Sequence, residues 1–204
     1  KDDTFEDYKN EMADLEKNKD SEYTKKRMIQ NQPSSFADFD PFMKKVEEKT
    51  NVMRILEQKK INFNVYDYSS SEAISGLDVA SYLNQDPNKV FKTLVTTGKS
   101  NNHYVFLVPV SSELDLKKAA NSVGEKNIEM LKSKDLLNLT GYIHGGCSPV
   151  GMKKSFKTVI DSSATNFPTI IFSAGKIGYQ VETSLSELSK VINYELHDIS
   201  TNEK

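Results

Sequence analysis

Four glycines and two lysines are concentrated in one short stretch of the sequence, Thr140-Gly-Tyr-Ile-His-Gly-Gly-Cys-Ser-Pro-Val-Gly-Met-Lys-Lys154. Glycine tolerates a positive φ and lets the backbone approach a ligand closely, and successive backbone N–H groups can form a concave anion site. Pro149 stiffens the middle of the stretch. The pattern therefore favours a loop that holds an anionic or carbonyl oxygen, and the alternative is a tight turn between two strands.

A second candidate is a lysine inside a segment that is typical of a strand, Val90-Phe-Lys-Thr-Leu-Val95. Alternation along the strand places Lys92 on the same face as Val90 and Leu94. A lysine on an apolar face is uncommon because removing an ammonium from water is costly. Two interpretations follow. Lys92 either extends along the edge of the sheet to reach solvent, or it lies at the rim of a pocket and binds an anionic or carbonyl oxygen.

Three other chemistries do not fit these residues. The spacing of Gly146 and Gly151 approaches that of a phosphate-binding loop, but the lysine comes one position late and Lys154 stands where Ser or Thr is needed. Cys147 lies three residues after His144, yet this spacing does not orient a base towards a thiol, so a small, partly buried side chain is favoured over a nucleophile. Three scattered histidines and one cysteine have no metal-ligand spacing. No metal or cofactor is expected.

Composition and charge limit the possible partners. The 204 residues include 27 Lys and Arg against 29 Asp and Glu, a net charge of −2, whereas affinity for nucleic acid depends on many basic contacts with phosphates. DNA and general RNA binding are therefore excluded, and any contact with RNA must be small or shared with a partner. The longest uncharged apolar run, Tyr104–Val110, has seven residues, so a membrane helix of about 20 is excluded. A single cysteine points to a reducing, cytoplasmic location.

The first part of the chain differs from the rest. Residues 1–30 contain seven Lys or Arg and nine Asp or Glu and only a thin apolar stripe, which predicts a charged helical arm that is exposed, partly disordered or in contact with a partner. Two prolines then predict a linker. The step Asp40-Pro41 resembles an N-cap followed by proline, and predicts a helix from there to about Lys60. We expect an arm and linker over residues 1–41 and one domain over residues 42–204.

From Ile61 onward, strand patterns outnumber helical ones. Alternating segments predict strands over residues 63–68, 90–97, 103–110, 156–160, 169–172, 179–181 and 194–199, with a hairpin loop that begins at Gly98. Helical patterns cover residues 113–122, ended by Gly124, and a stretch opened by a capping box of Ser184 and Glu187. The prediction is a mixed α/β (α+β) fold in which helices surround a curved, barrel-like mixed sheet.

Together these motifs resemble the YbaK family of aminoacyl-tRNA deacylases, which is related to the editing domain of bacterial prolyl-tRNA synthetases. Lys92-Thr-Leu94 and the glycine-rich stretch carry the resemblance. It is extended by Asp115-Leu-Lys-Lys-Ala-Ala120, Lys157-Thr-Val-Ile160 and Ser173-Ala-Gly-Lys176, and runs from about Thr50 to Ile199. The resemblance implies the same barrel-like mixed sheet.

The resemblance also implies an activity, which is hydrolysis of wrongly charged tRNA, chiefly cysteine from proline tRNA, with the thiol of the substrate as the attacking group. The implied catalytic residues are Lys92, Gly145 and Gly146. The implied substrate-binding residues are Thr93, Tyr68, Ser148, Pro149 and Lys153. The N–H groups of the two glycines would then stabilise the oxyanion, while Lys92 fixes a phosphate or carbonyl oxygen. The implied partners are the 3′ end of an aminoacylated tRNA and a prolyl-tRNA synthetase.

Several alternatives stay open. The protein is either free-standing or an editing module of a prolyl-tRNA synthetase, and the polar arm and the absent initiating Met favour the module. The amino acid removed is either cysteine or alanine. A non-catalytic module that binds tRNA or the synthetase is the third possibility, against which the intact Lys92 and glycine loop argue.

Overall fold

Short helices and strands alternate along residues 49–202, the part of the chain that the computed structural model describes; the predicted arm and linker lie outside it. The helices are α1 (Asn51–Gln58), α2 (Gly76–Tyr82), α3 (Leu116–Val123), α4 (Ser133–Thr140) and α5 (Leu185–Leu188), with a 3-10 helix over Ser162–Asn166. The strands are β1 (Asn64–Asp67), β2 (Phe91–Gly98), β3 (His103–Pro109), β4 (Ser112–Leu114), β5 (Ile128–Met130), β6 (Lys157–Asp161), β7 (Ile170–Ser173), β8 (Tyr179–Thr183), β9 (Glu195–His197) and β10 (Ser200–Asn202). These helices are too short and too polar to span a bilayer.

The strands of the described residues pair into three sheets. The largest is mixed and has the order β5-β2-β3-β6-β9, in which β2 is antiparallel to β3 and β5, and β6 is parallel to β3 and β9. A second, antiparallel sheet has the order β1-β8-β7, and β4 pairs with β10 as a two-stranded ribbon. An isolated parallel bridge between Val90 and Ile171 links the two larger sheets.

The predicted mixture of helices with a mixed sheet is confirmed, but the predicted barrel is wrong. Among the described strands, the five-stranded sheet stays open, with β5 and β9 as its edges. Each edge strand has three residues, and all three residues of β9 are exposed. Short and polar edge strands resist pairing with a further strand. The sheet therefore does not close on itself.

Strand β3 lies at the centre of the largest sheet and is buried on both faces. Val105 and Leu107 belong to the larger hydrophobic core, whereas Phe106 and Val108 belong to a second core that Ala119 of α3 helps to form. All four strand side chains are completely buried. A slip of one residue would exchange the side chains of the two cores, so burial on both faces fixes the register of β2 against β3.

The described part of the helix predicted from the Asp40-Pro41 step to about Lys60 is helical over Asn51–Gln58, as predicted, but it is not continuous through Thr50. Thr50 is extended and caps α1, and its hydroxyl accepts a hydrogen bond from the Met53 amide at 3.2 Å. Helix α1 therefore begins at Asn51 and does not continue a helix from the Asp40-Pro41 step, which lies outside the described residues. The threonine side chain thus satisfies one of the otherwise unpaired amides at the helix start, which makes Thr50 a competitive start site.

The predicted helix over residues 113–122 begins later than expected. Asp115 caps α3, accepting hydrogen bonds from two first-turn amides, so the helix begins at Leu116. Glu113, predicted as helical, lies in β4 instead, opposite Thr201 of β10. Gly124 ends the helix in the left-handed conformation with φ 74°, as predicted. The later helix start matters because Glu113 then belongs to the β4–β10 ribbon and not to the first turn of α3.

A buried carboxylate joins the last strand to the sheet. Asp161 is 2% exposed. Its Oδ1 accepts hydrogen bonds from the amides of Ile199 and Ser200 at 3.0 and 3.1 Å, and its Oδ2 accepts from the Ser163 amide and hydroxyl at 3.2 and 2.5 Å. These bonds fix the segment that leads into β10, and β10 in turn pairs with β4 and supports Glu113.

Replacing Asp161 by Ala should lower the free energy of unfolding by about 2–4 kcal/mol, because several buried donors lose their acceptor at once. Urea denaturation followed by circular dichroism measures the change. Asp198→Ala is the matched control, since that carboxylate is 69% exposed and pairs only with an exposed lysine, and its midpoint should hardly move. Equal shifts for the two variants would contradict the structural role of Asp161.

Candidate active site

A cavity of about 420 Å³ opens where β2 meets the start of α2, the edge strand β5 and the glycine-rich loop. Apolar side chains such as those of Phe91 and Leu136 form part of its wall. The cavity is lined by four of the predicted site residues, namely Tyr68, Lys92, Thr93 and Gly145. Residues that are distant in the sequence thus meet at one concave, partly apolar site, which is the usual form of a small-ligand pocket.

The ammonium of Lys92 is bound to a carboxylate at the cavity wall. Its Nζ donates to Glu113 Oε1 at 2.9 Å. The Lys92 side chain is 27% exposed and that of Glu113 53%, so Lys92 lines the cavity and also reaches solvent. A pair this exposed stabilises the fold by at most about 1 kcal/mol. Its main consequence is that it fixes the position of the ammonium.

The Thr93 hydroxyl is an unsatisfied polar group in the cavity wall. Its Oγ1 is buried and has no hydrogen-bond partner within residues 49–202. Thr93 lies on the same face of β2 as Phe91 and Val95, which belong to the larger core, and this confirms the predicted alternation of the strand. A buried hydroxyl without a partner costs about 1–3 kcal/mol. A ligand that hydrogen-bonds to Thr93 would recover part of that free energy.

The two adjacent glycines of the predicted catalytic loop have different environments. Gly145 is exposed, has φ +86° and lines the cavity, and its amide donates to no carbonyl of the described residues. Gly146 is buried and its amide donates to the Ile143 carbonyl at 3.0 Å. A Cβ at Gly146 would lie 3.2 Å from the Ile177 amide nitrogen. Gly145 therefore lines the cavity, whereas Gly146 closes a turn with Ile143 and lets the loop pack closely against the backbone of Ile177.

Hydrogen bonds between buried residues hold the two ends of the loop together. The Tyr142 hydroxyl donates to the Val150 carbonyl at 2.5 Å, and the Tyr142 amide donates to Thr140 Oγ1 at 3.1 Å. Burial raises the pKa of Tyr142 to about 12, so the phenol stays protonated and remains a donor at neutral pH. These contacts fix the two ends of the loop that carries Gly145.

Three of the predicted substrate-binding residues do not line the cavity. Ser148 is completely buried, and its hydroxyl accepts a hydrogen bond from the Val150 amide at 3.3 Å. Pro149 lies at a second groove, described below. Lys153 donates from Nζ to the Leu137 carbonyl at 3.3 Å, at the end of α4. All three residues support the loop or flank it.

Four polar residues line the cavity although no local pattern points to them as a group: Glu113, His144, Ser173 and Gln180. Gln180 is buried, and its Oε1 accepts a hydrogen bond from Gln85 Nε2 at 2.9 Å. Ser173 belongs to a motif that carries the family resemblance, which is the one sequence signal for it. Glu113 and Gln180 reach the cavity from β4 and β8 through tertiary packing alone.

The Cys147 thiol lies in the cavity wall but is not activated. The residue is 8% exposed, and burial raises the pKa of the thiol to about 12. His144 is exposed, and no hydrogen bond joins it to Cys147 among the described contacts. The thiolate is the nucleophilic form of cysteine, so a thiol with this pKa is a poor nucleophile at neutral pH. Cys147 behaves as the small buried side chain that the sequence predicts.

Comparison with known proteins connects this chain to a family. The sequence profile of the aminoacyl-tRNA editing domain matches residues 73–191. A protein of Enterococcus faecalis with the provisional name Cys-tRNA(Pro)/Cys-tRNA(Cys) deacylase EbsC is 44% identical over 161 residues, which is 78% of this chain and 98% of that protein. The sequence is thus that of an aminoacyl-tRNA editing domain.

Two solved structures have the same fold. A crystal structure of a provisional trans-editing enzyme for prolyl tRNA synthetase matches with a TM-score of 0.65 at 22% identity, over 75% of this chain and 99% of that one. A protein described as hypothetical matches with a TM-score of 0.67 at 18% identity, over 74% and 100% of the two chains. The family profile and the Enterococcus relative show that the chain belongs to the aminoacyl-tRNA editing domain family, as the motifs predict.

Cys147 should react with iodoacetamide at pH 7.5 at least a hundredfold more slowly than an exposed thiol, because the reacting thiolate is nearly absent at that pH. Mass spectrometry of the alkylated fraction over time measures the rate, and the protein unfolded in urea, whose thiol pKa returns to about 8.5, is the control.

Cys147→Ser should keep at least a third of the deacylase activity. A complete loss of activity, or an aminoacyl adduct trapped on Cys147, would contradict the assignment.

Proposed function

We propose that this protein is a trans-editing aminoacyl-tRNA deacylase that hydrolyses Cys-tRNA(Pro). Membership of the editing domain family makes it an aminoacyl-tRNA deacylase. The cysteine and proline specificities are proposed from the name of the Enterococcus relative, which refers to Cys-tRNA(Pro) and Cys-tRNA(Cys). The protein acts in trans or as part of a prolyl-tRNA synthetase, and the cytoplasm, where tRNA is charged, is the compartment we propose.

One observation supports the site above all others, namely that a single cavity collects Lys92, Thr93 and Gly145. These residues supply a cation, a buried hydroxyl and an exposed loop backbone with a left-handed glycine. Such groups bind and polarise an ester, whereas none of them is a nucleophile with a base beside it. The cavity is therefore suited to position an activated ester rather than to attack it.

In the proposed mechanism, Lys92 and the loop backbone stabilise charge that develops on the carbonyl oxygen. Because the Gly146 amide already donates to Ile143, we assign the donor role to the Gly145 amide and to the adjoining backbone at Cys147, both of which line the cavity. A preorganised donor at such a site is commonly worth about 2.7–4 kcal/mol in the transition state. Thr93 Oγ1 binds the substrate through its open hydrogen-bonding capacity.

The attacking group in this mechanism is the thiol of the cysteinyl substrate. Its sulfur forms a bond to its own ester carbonyl, the bond from the carbonyl carbon to the tRNA ribose oxygen breaks, and that oxygen takes up a proton. Water then opens the thioester ring and releases cysteine. A thiol held beside its own ester has an effective concentration on the order of 10⁵ M or more in favourable cases. Positioning then supplies much of the acceleration, without a nucleophile from the protein.

The charge of the chain agrees with a small tRNA contact. A net charge of −2 does not favour binding of an entire tRNA through its phosphates. A deacylase that acts on the 3′ end alone, while a prolyl-tRNA synthetase holds the rest of the tRNA, needs only local contacts. A non-catalytic binding module would not need Lys92, Thr93 and Gly145 to meet at one cavity, and this favours catalysis.

Lys92→Ala should lower kcat/KM for Cys-tRNA(Pro) by at least tenfold and leave the fold intact, because the variant loses the cation at the cavity wall. The rate of release of labelled cysteine and the urea midpoint measure the two effects. Lys118→Ala is the control, since Lys118 is also paired with a carboxylate but lies on α3. A folded Lys92→Ala variant with the turnover of the unmodified protein would remove Lys92 from the mechanism.

Cysteine-charged tRNA should be hydrolysed at least tenfold faster than the serine- and alanine-charged forms of the same tRNA. A serine hydroxyl has a similar shape but is far less ionised and less nucleophilic, and alanine has no nucleophile. The rate with cysteine should rise from pH 6.5 to about 8.5 as the substrate thiol ionises. Equal rates for the three substrates, or a flat pH profile with cysteine, would exclude attack by the substrate thiol. Hydrolysis of alanine-charged tRNA alone would favour editing of Ala-tRNA(Pro).

A further inference from the structure

A second concave surface lies next to the glycine-rich loop and has a different chemistry. It has a volume of about 300 Å³ and lies between the segment that follows the loop and the segment that follows α5. We call it the basic groove, defined by Lys154, Ser155, Phe156, Ser189, Lys190 and Asn193. No Asp or Glu of the described residues lines it. We propose that the basic groove binds the phosphodiester backbone of the 3′-terminal nucleotides of the tRNA, an inference that rests on the proposed function.

The two lysines of the basic groove differ in whether a carboxylate is paired with them, and this difference identifies the lysine that can bind a phosphate. Lys190 Nζ lies 2.5 Å from Glu187 Oε1, and this carboxylate also accepts a hydrogen bond from the Asn62 amide at 3.0 Å. A phosphate bound to Lys190 would therefore lie beside the Glu187 carboxylate and be repelled by it. Lys154 is exposed, and no carboxylate within residues 49–202 forms an ion pair with it. Lys154 is thus the cation that the groove can offer to a phosphate.

The chain itself sets the distance between the groove and the cavity. Cys147 lines the cavity and Pro149 lines the groove. Two residues span at most about 7 Å of chain, and the four residues from Gly145 to Pro149 span at most about 14 Å. Hydrogen bonds between buried residues fix the loop in between. The segment that joins the cavity to the groove is short and buried, and the proposal places the phosphates that precede the terminal ester in the groove.

The groove also has the hydrogen-bonding groups that a phosphodiester requires. The side chains of Ser155, Ser189 and Asn193 lie at its wall beside Lys154. Hydroxyl and amide donors next to a lysine are frequent in contacts with nucleic acid backbones. Such contacts position the strand without reading its sequence, which suits the CCA end, since this end is the same in every tRNA.

The test is binding of an uncharged acceptor-stem RNA that ends in CCA and carries a fluorescent label, measured by anisotropy at several KCl concentrations. Lys154→Ala should weaken binding about three- to tenfold at low salt. It should also reduce the slope of log K against log[KCl] by about 0.7–1, because one phosphate contact is lost. Lys154→Arg should preserve both values.

The matched control is Lys117→Ala. Lys117 is exposed and also lacks a carboxylate partner among the described residues. It lies in the first turn of α3, after Asp115, whose amide donates to the Ile199 carbonyl, and the Ile199 amide in turn donates to Asp161 at the end of β6. Lys154 instead precedes the start of β6 at Lys157, and the five residues of that strand separate its two ends by roughly 13 Å. Binding by Lys117→Ala should match that of the unmodified protein. If Lys154→Ala and Lys117→Ala bind alike, the basic groove does not contact the tRNA.

Two further measurements separate this inference from the proposed function. Lys154→Ala should raise KM for Cys-tRNA(Pro) with kcat unchanged, and should leave hydrolysis of cysteinyl-adenosine, which has no phosphate, unaffected. If the unmodified protein hydrolyses neither substrate, the proposed function fails, while the binding assay still decides the groove. A defect of Lys154→Ala that appears only when a prolyl-tRNA synthetase is present would assign the groove to an acidic protein surface and overturn the inference.

Discussion

Burial of β3 on both faces is the constraint on which the site depends. Its side chains are packed into two separate cores, so the neighbouring strand β2 has one permitted register against it. That register decides which way each residue of β2 faces. Thr93 points to the side of the larger core and its cavity, and Lys92 turns to the side of β4 and Glu113. Two adjacent residues therefore reach one cavity from different faces of β2.

The glycine-rich loop achieves its geometry by giving each glycine a separate task. Gly145 adopts a positive φ and leaves its backbone open at the cavity, while Gly146 allows close packing against the Ile177 backbone. Any side chain at Gly146 would push the loop away from this contact, and any at Gly145 would be strained. The bond from Tyr142 to Val150 then closes the loop. Preorganisation of this kind lets a loop act as a fixed part of a site.

Strands and turns were predictable because their sequence signals are local. Contacts between elements that are distant in the sequence were not predictable in this way. Alternation located β2 and β3, and Gly124 marked a helix end. Ser184 caps α5 as predicted, but Glu187 does not complete the box; its carboxylate binds the Asn62 amide, far away in the sequence. The same limit applies to Glu113, whose contact with Lys92 depends on the pairing of β4 with β10. It also applies to closure of the sheet, because the sequence of a single strand does not show whether that strand will pair with another at the edge.

The buried cysteine has a consequence for the proposed chemistry. An activated ester beside a reactive protein thiol would transfer its acyl group to the protein and leave a thioester to be hydrolysed. Burial raises the pKa of Cys147 to about 12, against about 8.5 for an unperturbed thiol. At neutral pH the thiolate form of Cys147 is then far scarcer than that of a solvated cysteinyl thiol. In the proposed mechanism, the substrate thiol therefore has no reactive protein thiol to compete with in the cavity wall. Keeping the protein sulfur inert thus complements a mechanism in which the substrate supplies the nucleophile.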